Sequence, residues 1–461
     1  MTASASSLAA DGGQPQESPG ATPGQTPEMD LLRFAAVGSV DDGKSTLIGR
    51  LLFDTRQLFD DQLAAITAAS ERRGIEDVDL SFITDGLRAE RDQGITIDVA
   101  YRYAATPHRK FVIADCPGHV QYTRNMATGA STADLALVVV DATAGLREQT
   151  RRHTCIAALL GVDQLIVCAN KMDLVDWDEG AYLRVVAQMD ELATRLGLRT
   201  WTVIPVSALK GDNVVTRSDA APYYDGPTVL EALEKAPAGG WAAVHGAQRV
   251  AGGRLPVQWV LRQPSGGRTY AGMVNGAALR PGDAVTVLPA GLTSTISRIS
   301  TADGDLEVAP VGLSVAVELT DDLDVSRGDL LASLDDQPVV TTEIEATLCW
   351  FGERPLKVGE RFRIKHTTRS TPARLTAISS RLDVNALALE PTEHLDDNDI
   401  GVVHLTTATP LALDPYHHNR ITGSFVLIDE ATNVTVAAGM VGPPKLVEPP
   451  SAAQGLSLIH I

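Results

Sequence analysis

The chain has 461 residues, an apolar fraction of 44% and four cysteines, which suits a folded protein of about two to four domains. Its formal net charge of −19 argues against a nucleic-acid-binding surface, and no apolar run is long enough to cross a membrane. The cysteines (Cys116, Cys155, Cys168 and Cys349) lack metal-ligand spacing, so we expect reduced thiols in a cytoplasmic protein.

The first 29 residues differ in composition from the rest of the chain. Residues 1–29 are rich in Ser, Ala, Gly, Pro and Gln, cannot bury enough apolar surface to offset their chain entropy, and are predicted to be disordered. They also lack the basic and apolar regions of a signal peptide. Over residues 30–236, apolar runs alternate with amphipathic stretches. This alternation predicts an α/β domain with a parallel sheet and helices on both faces.

The first motif of this domain comes after the apolar run 32–37 and fits the pattern G-x-x-x-x-G-K-[ST]. Its glycines allow backbone N–H groups to point at phosphate oxygens, and the helix predicted over 44–53 adds its partial positive charge there. Lys44 would act as a catalytic contact to the β- and γ-phosphates, and the Ser45 hydroxyl would ligate Mg²⁺. The predicted nucleotide contacts of this phosphate loop are Gly38, Ser39, Val40, Asp41, Asp42, Gly43, Lys44, Ser45 and Thr46.

A long connection, residues 54–94, comes after this helix and contains a helical pattern over 60–73. A loop of this length inside a compact domain is usually functional. We predict a switch segment in which Thr96, as a catalytic residue and metal ligand, closes over Mg²⁺ and the γ-phosphate. The alternative is a charged surface loop that leads into a strand.

The second motif, D-x-x-G, comes after a strand predicted over 111–114. A carboxylate at the carboxyl end of a strand beside the phosphate loop can bind Mg²⁺, often through water. The glycine can turn its N–H toward the γ-phosphate, and the catalytic histidine after it can orient an attacking water. The predicted contacts are Asp115 (also a metal ligand), Cys116, Pro117, Gly118 and His119.

The third motif, N-K-x-D, comes after a buried strand predicted over 165–169. The Asp173 carboxylate can accept hydrogen bonds from N1–H and the 2-amino group of guanine, whereas adenine offers neither pair of donors. A loop after the strand predicted over 201–205 would donate backbone N–H groups to guanine O6. The sequence therefore predicts binding of GTP and Mg²⁺. The predicted base contacts are Asn170, Lys171, Met172, Asp173, Ser207, Ala208 and Leu209.

The composition changes after this domain. Residues 237–253 are rich in glycine and are predicted to form a linker. Beyond them, short strand-like runs separated by Gly, Pro and Asp predict two antiparallel β-barrels, over 254–341 and 342–442. Residues 443–461 have the composition of a linker-like tail.

This arrangement resembles the translation-factor-type GTPases, and it is most similar to the GTPase (large) subunit of bacterial sulfate adenylyltransferase, also called ATP sulfurylase. Asp42 supports this resemblance, because carriers of aminoacyl-tRNA usually have histidine at that position. The resemblance covers about residues 31–441. It rests on the segments 39–52, 85–91, 98–103, 118–131, 423–429 and 432–436.

The resemblance implies one subunit of a two-subunit enzyme that makes adenosine 5′-phosphosulfate and pyrophosphate from ATP and sulfate. The family couples this uphill reaction to GTP hydrolysis, and the adenylyl-transfer site belongs to the small partner subunit. The departures from the family pattern, at Asp92 and Glu430, touch no nucleotide contact. Two alternatives stay open. One is an aminoacyl-tRNA carrier, against which Asp42 and the segment 121–124 argue, and the other is a regulatory GTPase without a metabolic reaction.

The tail carries a separate expectation. Some members of this family are fused to an adenylylsulfate kinase, which in others is a separate protein, and the Pro-rich segment after Val441 is where such a linker would begin. Residues 456–461 are apolar and back-translate to the end of a common sequencing adapter. We therefore expect a non-native end, with the natural gene continuing beyond it.

Overall fold

The computed structural model describes residues 30–57, 80, 96, 98–237, 252–262, 267–444 and 446. Several predictions therefore lie outside the described residues: the segment 1–29, the helical pattern 60–73, most of the connection 54–94, most of the linker 237–253 and the tail beyond residue 446. Within the described ranges, no helix is both long and apolar enough to span a membrane.

A six-stranded sheet organises the first domain, in the order β2-β3-β1-β4-β5-β6. Its strands are β1 (Leu31–Val37), β2 (Ala100–Ala105), β3 (Lys110–Asp115), β4 (Leu135–Asp141), β5 (Gln164–Asn170) and β6 (Thr200–Pro205). The helices are α1 (Lys44–Asp54), α2 (Thr123–Ser131), α3 (Glu148–Leu159), α4 (Glu179–Arg195) and α5 (Val229–Lys235), with short 3-10 helices at Val120–Tyr122 and Met172–Val175. The predicted α/β class is confirmed.

The sheet is mixed rather than wholly parallel, because its edge strand β2 runs antiparallel to β3. The other neighbouring strands are parallel, as the sequence predicts. Only residues 106–109 separate β2 from β3, which suits a tight turn and is too short for a crossover. The Thr106 hydroxyl stabilises this turn by accepting from the Arg109 N–H at 3.2 Å.

Helices cover both faces of the sheet because its central strands are apolar on both sides. Leu137 of β4 belongs to an apolar cluster with Leu47 of α1 and Leu233 of α5. Its neighbour Val138 belongs to a second cluster, which includes Ile156 of α3. Since successive strand residues point to opposite faces, these two clusters lie on either side of the sheet. The carboxyl ends of β1, β3, β4 and β5 then meet at one edge.

The cysteines are small apolar core residues of the folded chain. All four are buried free thiols. Burial raises the pKa of Cys155 and of Cys349 to about 12, so both thiols are uncharged at neutral pH. In the described part of the chain, no group of three or more His, Cys, Asp or Glu side chains is placed to hold a metal ion.

Two closed antiparallel barrels of six strands complete the fold, because β9 pairs with both β10 and β13, and β16 pairs with both β17 and β21. Barrel II contains β7 (Arg254–Arg262), β8 (Arg268–Met273), β9 (Ala284–Leu288), β10 (Leu292–Thr301), β12 (Ser314–Leu319) and β13 (Leu330–Ser333), with β11 (Gly304–Asp305) paired on β10. Barrel III contains β14 (Val339–Trp350), β16 (Arg361–His366), β17 (Arg369–Asp383), β20 (Ile400–Leu413), β21 (Ser424–Ile428) and β22 (Thr435–Val441). Short accessory strands are β15 (Leu356–Lys357), β18 (Ala388–Glu390) and β19 (His394–Leu395). The domain limits stay predictions, and β14 begins ahead of the predicted boundary at 342.

A buried ion pair joins the two barrels. Arg254, at the start of β7, is fully buried, and its Nε and Nη2 donate to the two carboxylate oxygens of Asp414, each at 3.1 Å. The same carboxylate accepts from the Thr422 hydroxyl, and Arg254 Nη1 donates to the Asp336 carbonyl at 2.6 Å. Because both ions are paired and further hydrogen-bonded, their desolvation is offset, whereas removal of either one would strand the other.

We expect Arg254→Leu to destabilise the protein by about 3–5 kcal/mol, since it leaves the Asp414 carboxylate buried without its partner. Arg254→Lys keeps the charge but loses the two-pronged contact, so its stability should fall between those of the wild type and Arg254→Leu. Urea unfolding followed by circular dichroism measures both variants. The control is Arg217→Ala, which removes an ion pair between exposed side chains, with Asp225 at 3.5 Å, and should cost about 1 kcal/mol or less. Equal stability of Arg254→Leu and this control would contradict the role of the buried pair.

Candidate functional site

The phosphate loop, residues 38–43, connects β1 to α1 at the carboxyl edge of the sheet. Gly43 has a φ of 94°, in the left-handed region. A β-carbon there would collide with the side-chain amide of Asn170, and one on Gly38 would lie 2.5 Å from the Val139 carbonyl oxygen. Glycine is therefore required at both positions, and the loop stays narrow enough for its backbone to cradle a phosphate group.

Lys44 begins α1 and turns its side chain back over the loop. Its Nζ donates to the carbonyl oxygens of Gly38 (3.1 Å) and Ser39 (2.8 Å). Burial lowers the pKa of Lys44, and the carboxylates of Asp115 and Asp42 oppose this shift. The ammonium group is thus held by carbonyl dipoles at the place where a nucleotide would bring phosphate oxygens.

The Asp42 carboxylate braces the loop from within and is 1% exposed. It accepts from the Ser39 N–H (2.9 Å) and the Thr150 hydroxyl (3.2 Å), and it pairs with Arg147 at 3.4 Å. Burial raises the pKa of Asp42, while the hydrogen bond from Ser39 and the nearby charges of Lys44 and Arg147 favour ionisation. The sequence predicts Asp42 as a nucleotide contact, but this side chain is used to fix the loop, which leaves such contact to its backbone.

The D-x-x-G motif lies directly beside the phosphate loop. Asp115 is the buried last residue of β3, and a β-carbon on Gly118 would collide with the Lys44 ammonium group. His119 is half-buried, and its Nδ1 accepts from the Gln121 N–H at 3.3 Å. Because Nδ1 accepts, the proton of the neutral imidazole lies on Nε2.

The N-K-x-D motif is tied to the phosphate loop through Asn170, the last residue of β5. Its Nδ2 donates to the Asp42 carbonyl (2.8 Å), and its Oδ1 accepts from the Ala208 N–H (2.9 Å). The Lys171 Nζ donates to Asp141 at 2.8 Å. Asp173 lies half-buried in the adjoining 3-10 helix. The structure thus brings the first and third motifs into direct contact.

The loop 207–209 is held by the protein itself. The Ser207 N–H donates to the Asp212 carbonyl (3.3 Å), the Ala208 N–H donates to Asn170, and Arg50 of α1 donates to the Ala208 carbonyl (3.3 Å). Two of the three N–H groups predicted for guanine O6 therefore have acceptors within the chain. Donation from this loop to guanine stays a prediction.

The remaining predicted site residues fall into four groups. Ser45 and Thr46, in the first turn of α1, and Val40 are partly exposed near the loop. Met172 and Cys116 are buried in the apolar core, so a nucleotide could reach only their backbone. Thr96 is half-buried, and its neighbours 81–95 and 97 lie outside the described residues. The rest are described by position alone: Asp41 is exposed, Pro117 is buried and Leu209 is 63% exposed.

Sequence reasoning missed three side chains that hold the phosphate loop, all at or near the start of α3. Arg147 donates to the Val40 carbonyl (3.2 Å), and the Thr150 hydroxyl lies 3.0 Å from that of Ser39. His153 Nδ1 lies 3.1 Å from the Gly38 carbonyl oxygen. The available signal is the spacing of Thr150 and His153, which places two polar side chains on one face of the helix.

These groups fit a magnesium–nucleotide complex. Gly38 and Gly43 let the loop pack closely on Val139 and Asn170. The Lys44 ammonium supplies positive charge, and the Ser45 hydroxyl and Asp115 carboxylate are hard oxygen ligands of the kind Mg²⁺ prefers. A half-buried imidazole stands beside Gly118. The arrangement can therefore bind a nucleoside triphosphate and orient a water molecule near its terminal phosphate.

Comparison with known protein families places this site in a wider group. The family model "Elongation factor Tu GTP binding domain" matches residues 29–238, and the model "GTP-eEF1A C-terminal domain-like" matches residues 343–442. A solved structure of sup35 complexed with GDP is 25% identical and covers 91% of this chain and 95% of its own, with a TM-score of 0.40.

Two curated relatives are more similar in sequence. The "Bifunctional enzyme CysN/CysC" of Mycobacterium tuberculosis is 50% identical over 417 residues, which cover 89% of this chain and 67% of that protein. "Sulfate adenylyltransferase subunit 1" of Aeromonas hydrophila is 48% identical over 413 residues, which cover 89% of this chain and 86% of that protein. The similarity therefore extends over the sheet domain and both barrels.

We expect His119→Ala to slow GTP hydrolysis by about 10²–10⁴-fold while GTP affinity stays nearly unchanged, because the imidazole is placed to contact the water and not the nucleotide. Single-turnover hydrolysis and equilibrium binding measure the two effects. His108→Ala, in the exposed turn before β3, is the matched control and should behave as wild type. Hydrolysis by His119→Ala at the control's rate would remove His119 from the reaction.

Proposed function

The chain belongs to the family of sulfate adenylyltransferase subunit 1, and we propose that it is the GTPase subunit of a two-subunit sulfate adenylyltransferase. The observation that carries the proposal is the convergence of three motifs on one sheet edge: the phosphate loop after β1, D-x-x-G after β3 and N-K-x-D after β5. The match of residues 29–238 to a GTP-binding domain model supports the same nucleotide.

In the proposed reaction, the β- and γ-phosphates of GTP lie in the phosphate loop. Lys44 exchanges its hydrogen bonds to the Gly38 and Ser39 carbonyls for phosphate oxygens. When bound, Mg²⁺ would neutralise charge on the phosphates, and the Ser45, Thr96 and Asp115 oxygens would hold it. The Gly118 N–H is the proposed donor to the γ-phosphate.

The role of His119 is set by its proton. With Nδ1 accepting from Gln121, Nε2–H is the free end of the ring and donates to the attacking water. A donor can fix the position of that water, but it cannot remove the water's proton. We therefore assign His119 to orientation of the water, and we propose an oxygen of the γ-phosphate as the acceptor of the water's proton.

Guanine selectivity is proposed to come from Asp173, whose carboxylate would accept from the N1–H and the 2-amino group. Asn170 is proposed to position the base-binding loop relative to the phosphate loop, because its side-chain amide is hydrogen-bonded to both. Lys171, held by Asp141, would lay its aliphatic stem along the base. The segments that bind the base and those that bind the phosphates would thus be joined by direct hydrogen bonds.

The energy of GTP hydrolysis is proposed to drive an uphill adenylyl transfer on a separate small subunit, which makes adenosine 5′-phosphosulfate and pyrophosphate from ATP and sulfate. The sequence carries a single phosphate-loop motif, which supports a site for ATP on the partner. An adenylylsulfate kinase, fused to this subunit or separate from it, is proposed to act on the adenosine 5′-phosphosulfate. The name of the bifunctional relative, of which this chain covers 67%, supports a second activity in longer relatives.

We expect Asp173→Asn to change the binding preference from GTP to XTP, because xanthine has an acceptor in place of one of the two guanine donors. Loss of a charge-assisted hydrogen bond should weaken GTP binding by roughly 1.5–3 kcal/mol. Competition binding of GTP against XTP measures the preference. Asp176→Asn, three residues further on and exposed, is the control. An unchanged preference in Asp173→Asn would remove this carboxylate from the base site.

The proposed function is tested by pyrophosphate release in the presence of an excess of the small subunit. We expect sulfate-dependent release that rises with GTP, whereas a non-hydrolysable GTP analogue should not displace the equilibrium through repeated turnovers. Lys44→Ala should abolish the GTP stimulation, since it removes the lysine contact to the phosphates. Lys357→Ala, exposed on barrel III, should keep it.

Three outcomes would overturn the proposal. Formation of adenosine 5′-phosphosulfate by this chain alone would place the adenylyl-transfer site here and not on a partner. GTP stimulation that survives in Lys44→Ala would show that the phosphate loop does not drive the reaction. Binding of aminoacyl-tRNA in place of any sulfate-dependent reaction would favour the carrier alternative.

A further inference from the structure

The peptide unit between Gly38 and Ser39 is clamped at both ends by one helix. Its carbonyl oxygen lies 3.1 Å from Nδ1 of His153 in α3. Its N–H donates to the Asp42 carboxylate at 2.9 Å, and that carboxylate accepts from the hydroxyl of Thr150, also in α3. The orientation of this peptide therefore depends on where α3 stands.

His153 is a fixed donor in this clamp. A carbonyl oxygen only accepts, so Nδ1 carries the proton, and Nε2 accepts from the side-chain amide of Gln149 at 2.7 Å. The ring is fully buried, and this burial together with the Lys44 charge lowers the pKa of His153 to about 3. The imidazole thus stays neutral, in one tautomer, across the physiological range.

The opposite side of α3 packs against barrel III. Cys155 and Ile156 share an apolar cluster with Cys349 and Ile400 of that barrel. At about 100° per residue, Cys155 lies about 140–160° around the helix from Thr150 and His153, so it projects away from the face that carries them. The same helix therefore serves the phosphate loop on one side and a barrel on the other.

Polar contacts fix the middle and the C-terminal end of this helix to barrel III. The Tyr416 hydroxyl donates to the Leu160 carbonyl (2.9 Å), just after the end of α3, and Arg152 Nη1 donates to the Asn398 carbonyl at 3.5 Å. Gly161 approaches so closely that a β-carbon there would lie 2.6 Å from Arg420 Nε. A shift of barrel III must either carry α3 with it or break these contacts.

We propose that Thr150 and His153 are positioning residues through which the docking of barrel III on α3 sets the rate of guanine-nucleotide release from the phosphate loop. The inference rests on the proposed nucleotide site. With barrel III docked, α3 holds the Gly38–Ser39 peptide in the orientation that cradles phosphate. When the barrel moves, the clamp loosens and the nucleotide leaves faster. A partner that acts on barrel III can thereby control nucleotide exchange without contacting the nucleotide.

The first test separates positioning from mere stability. In His153→Ala, release of a fluorescent GDP analogue should quicken roughly five- to tenfold, because one buried hydrogen bond to the loop is lost. In His153→Asn, the amide nitrogen takes the place of Nδ1, so the rate should return to within about twofold of wild type. Hydrogen exchange of backbone amides, measured in the nucleotide-free protein, supplies a second readout. The amides of residues 38–43 should exchange faster in His153→Ala than in the wild type, and at the wild-type rate in His153→Asn.

The second test loosens the docking of barrel III in two independent ways, Tyr416→Phe combined with Ile400→Ala, and Arg152→Ala. Each should quicken release roughly threefold when His153 is present, and much less in the His153→Ala background, because the effect passes through that side chain. The matched control is Arg195→Ala, which removes a hydrogen bond from α4 to the Leu387 carbonyl of barrel III without touching α3. Its release rate should stay within about twofold of wild type.

The outcomes distinguish this inference from the function on which it rests. Wild-type protein that binds no guanine nucleotide would overturn both. Wild-type protein that binds GDP, with equal effects of the docking variants in both His153 backgrounds, would overturn the route through α3 alone. So would unchanged release in His153→Ala, or an Asn variant that releases as fast as the Ala variant.

Discussion

The phosphate loop must leave backbone N–H groups free for a ligand, so the protein has to hold the loop by other means. Buried polar groups need hydrogen-bond partners, and here three of those partners come from outside the loop. Asn170 of β5 holds the Asp42 carbonyl, Thr150 holds the Asp42 side chain, and His153 faces the Gly38 carbonyl. The sheet, the helices and their connections can be understood as the frame that delivers these three side chains.

The frame has two layers of support with different reach. Close to the loop, hydrogen bonds of defined geometry fix individual peptide units. Further out, an apolar cluster extends from the sheet through Ile156 of α3 into barrel III, where it includes Ile400 and Met440. The nucleotide domain (residues 30–236) and barrel III therefore share one core. The principal apolar cluster of barrel II, around Leu255 and Val287, is separate. A shift of barrel III relative to the nucleotide domain would therefore disturb this shared core.

The sequence predicts what local pattern controls. The strand-then-motif order locates the phosphate loop, D-x-x-G and N-K-x-D at strand ends, because each motif needs only its own few residues. It does not predict which way a loop side chain turns, so the motif places Asp42 at the nucleotide, whereas its carboxylate lies inside the loop. Nor can it pair Gly38 with His153, which are 115 positions apart and meet only through the packing of α3. The alternation of apolar runs predicts a parallel sheet, and only the short turn before β3 carries a signal for the antiparallel edge strand β2.

The fork between Arg254 and Asp414 has a mechanical consequence for the whole molecule. A buried contact with two parallel hydrogen bonds resists rotation as well as separation, so it fixes barrel II against barrel III at this point. Barrel II is therefore held to barrel III at this contact, so a shift of barrel III relative to α3 would displace barrel II as well.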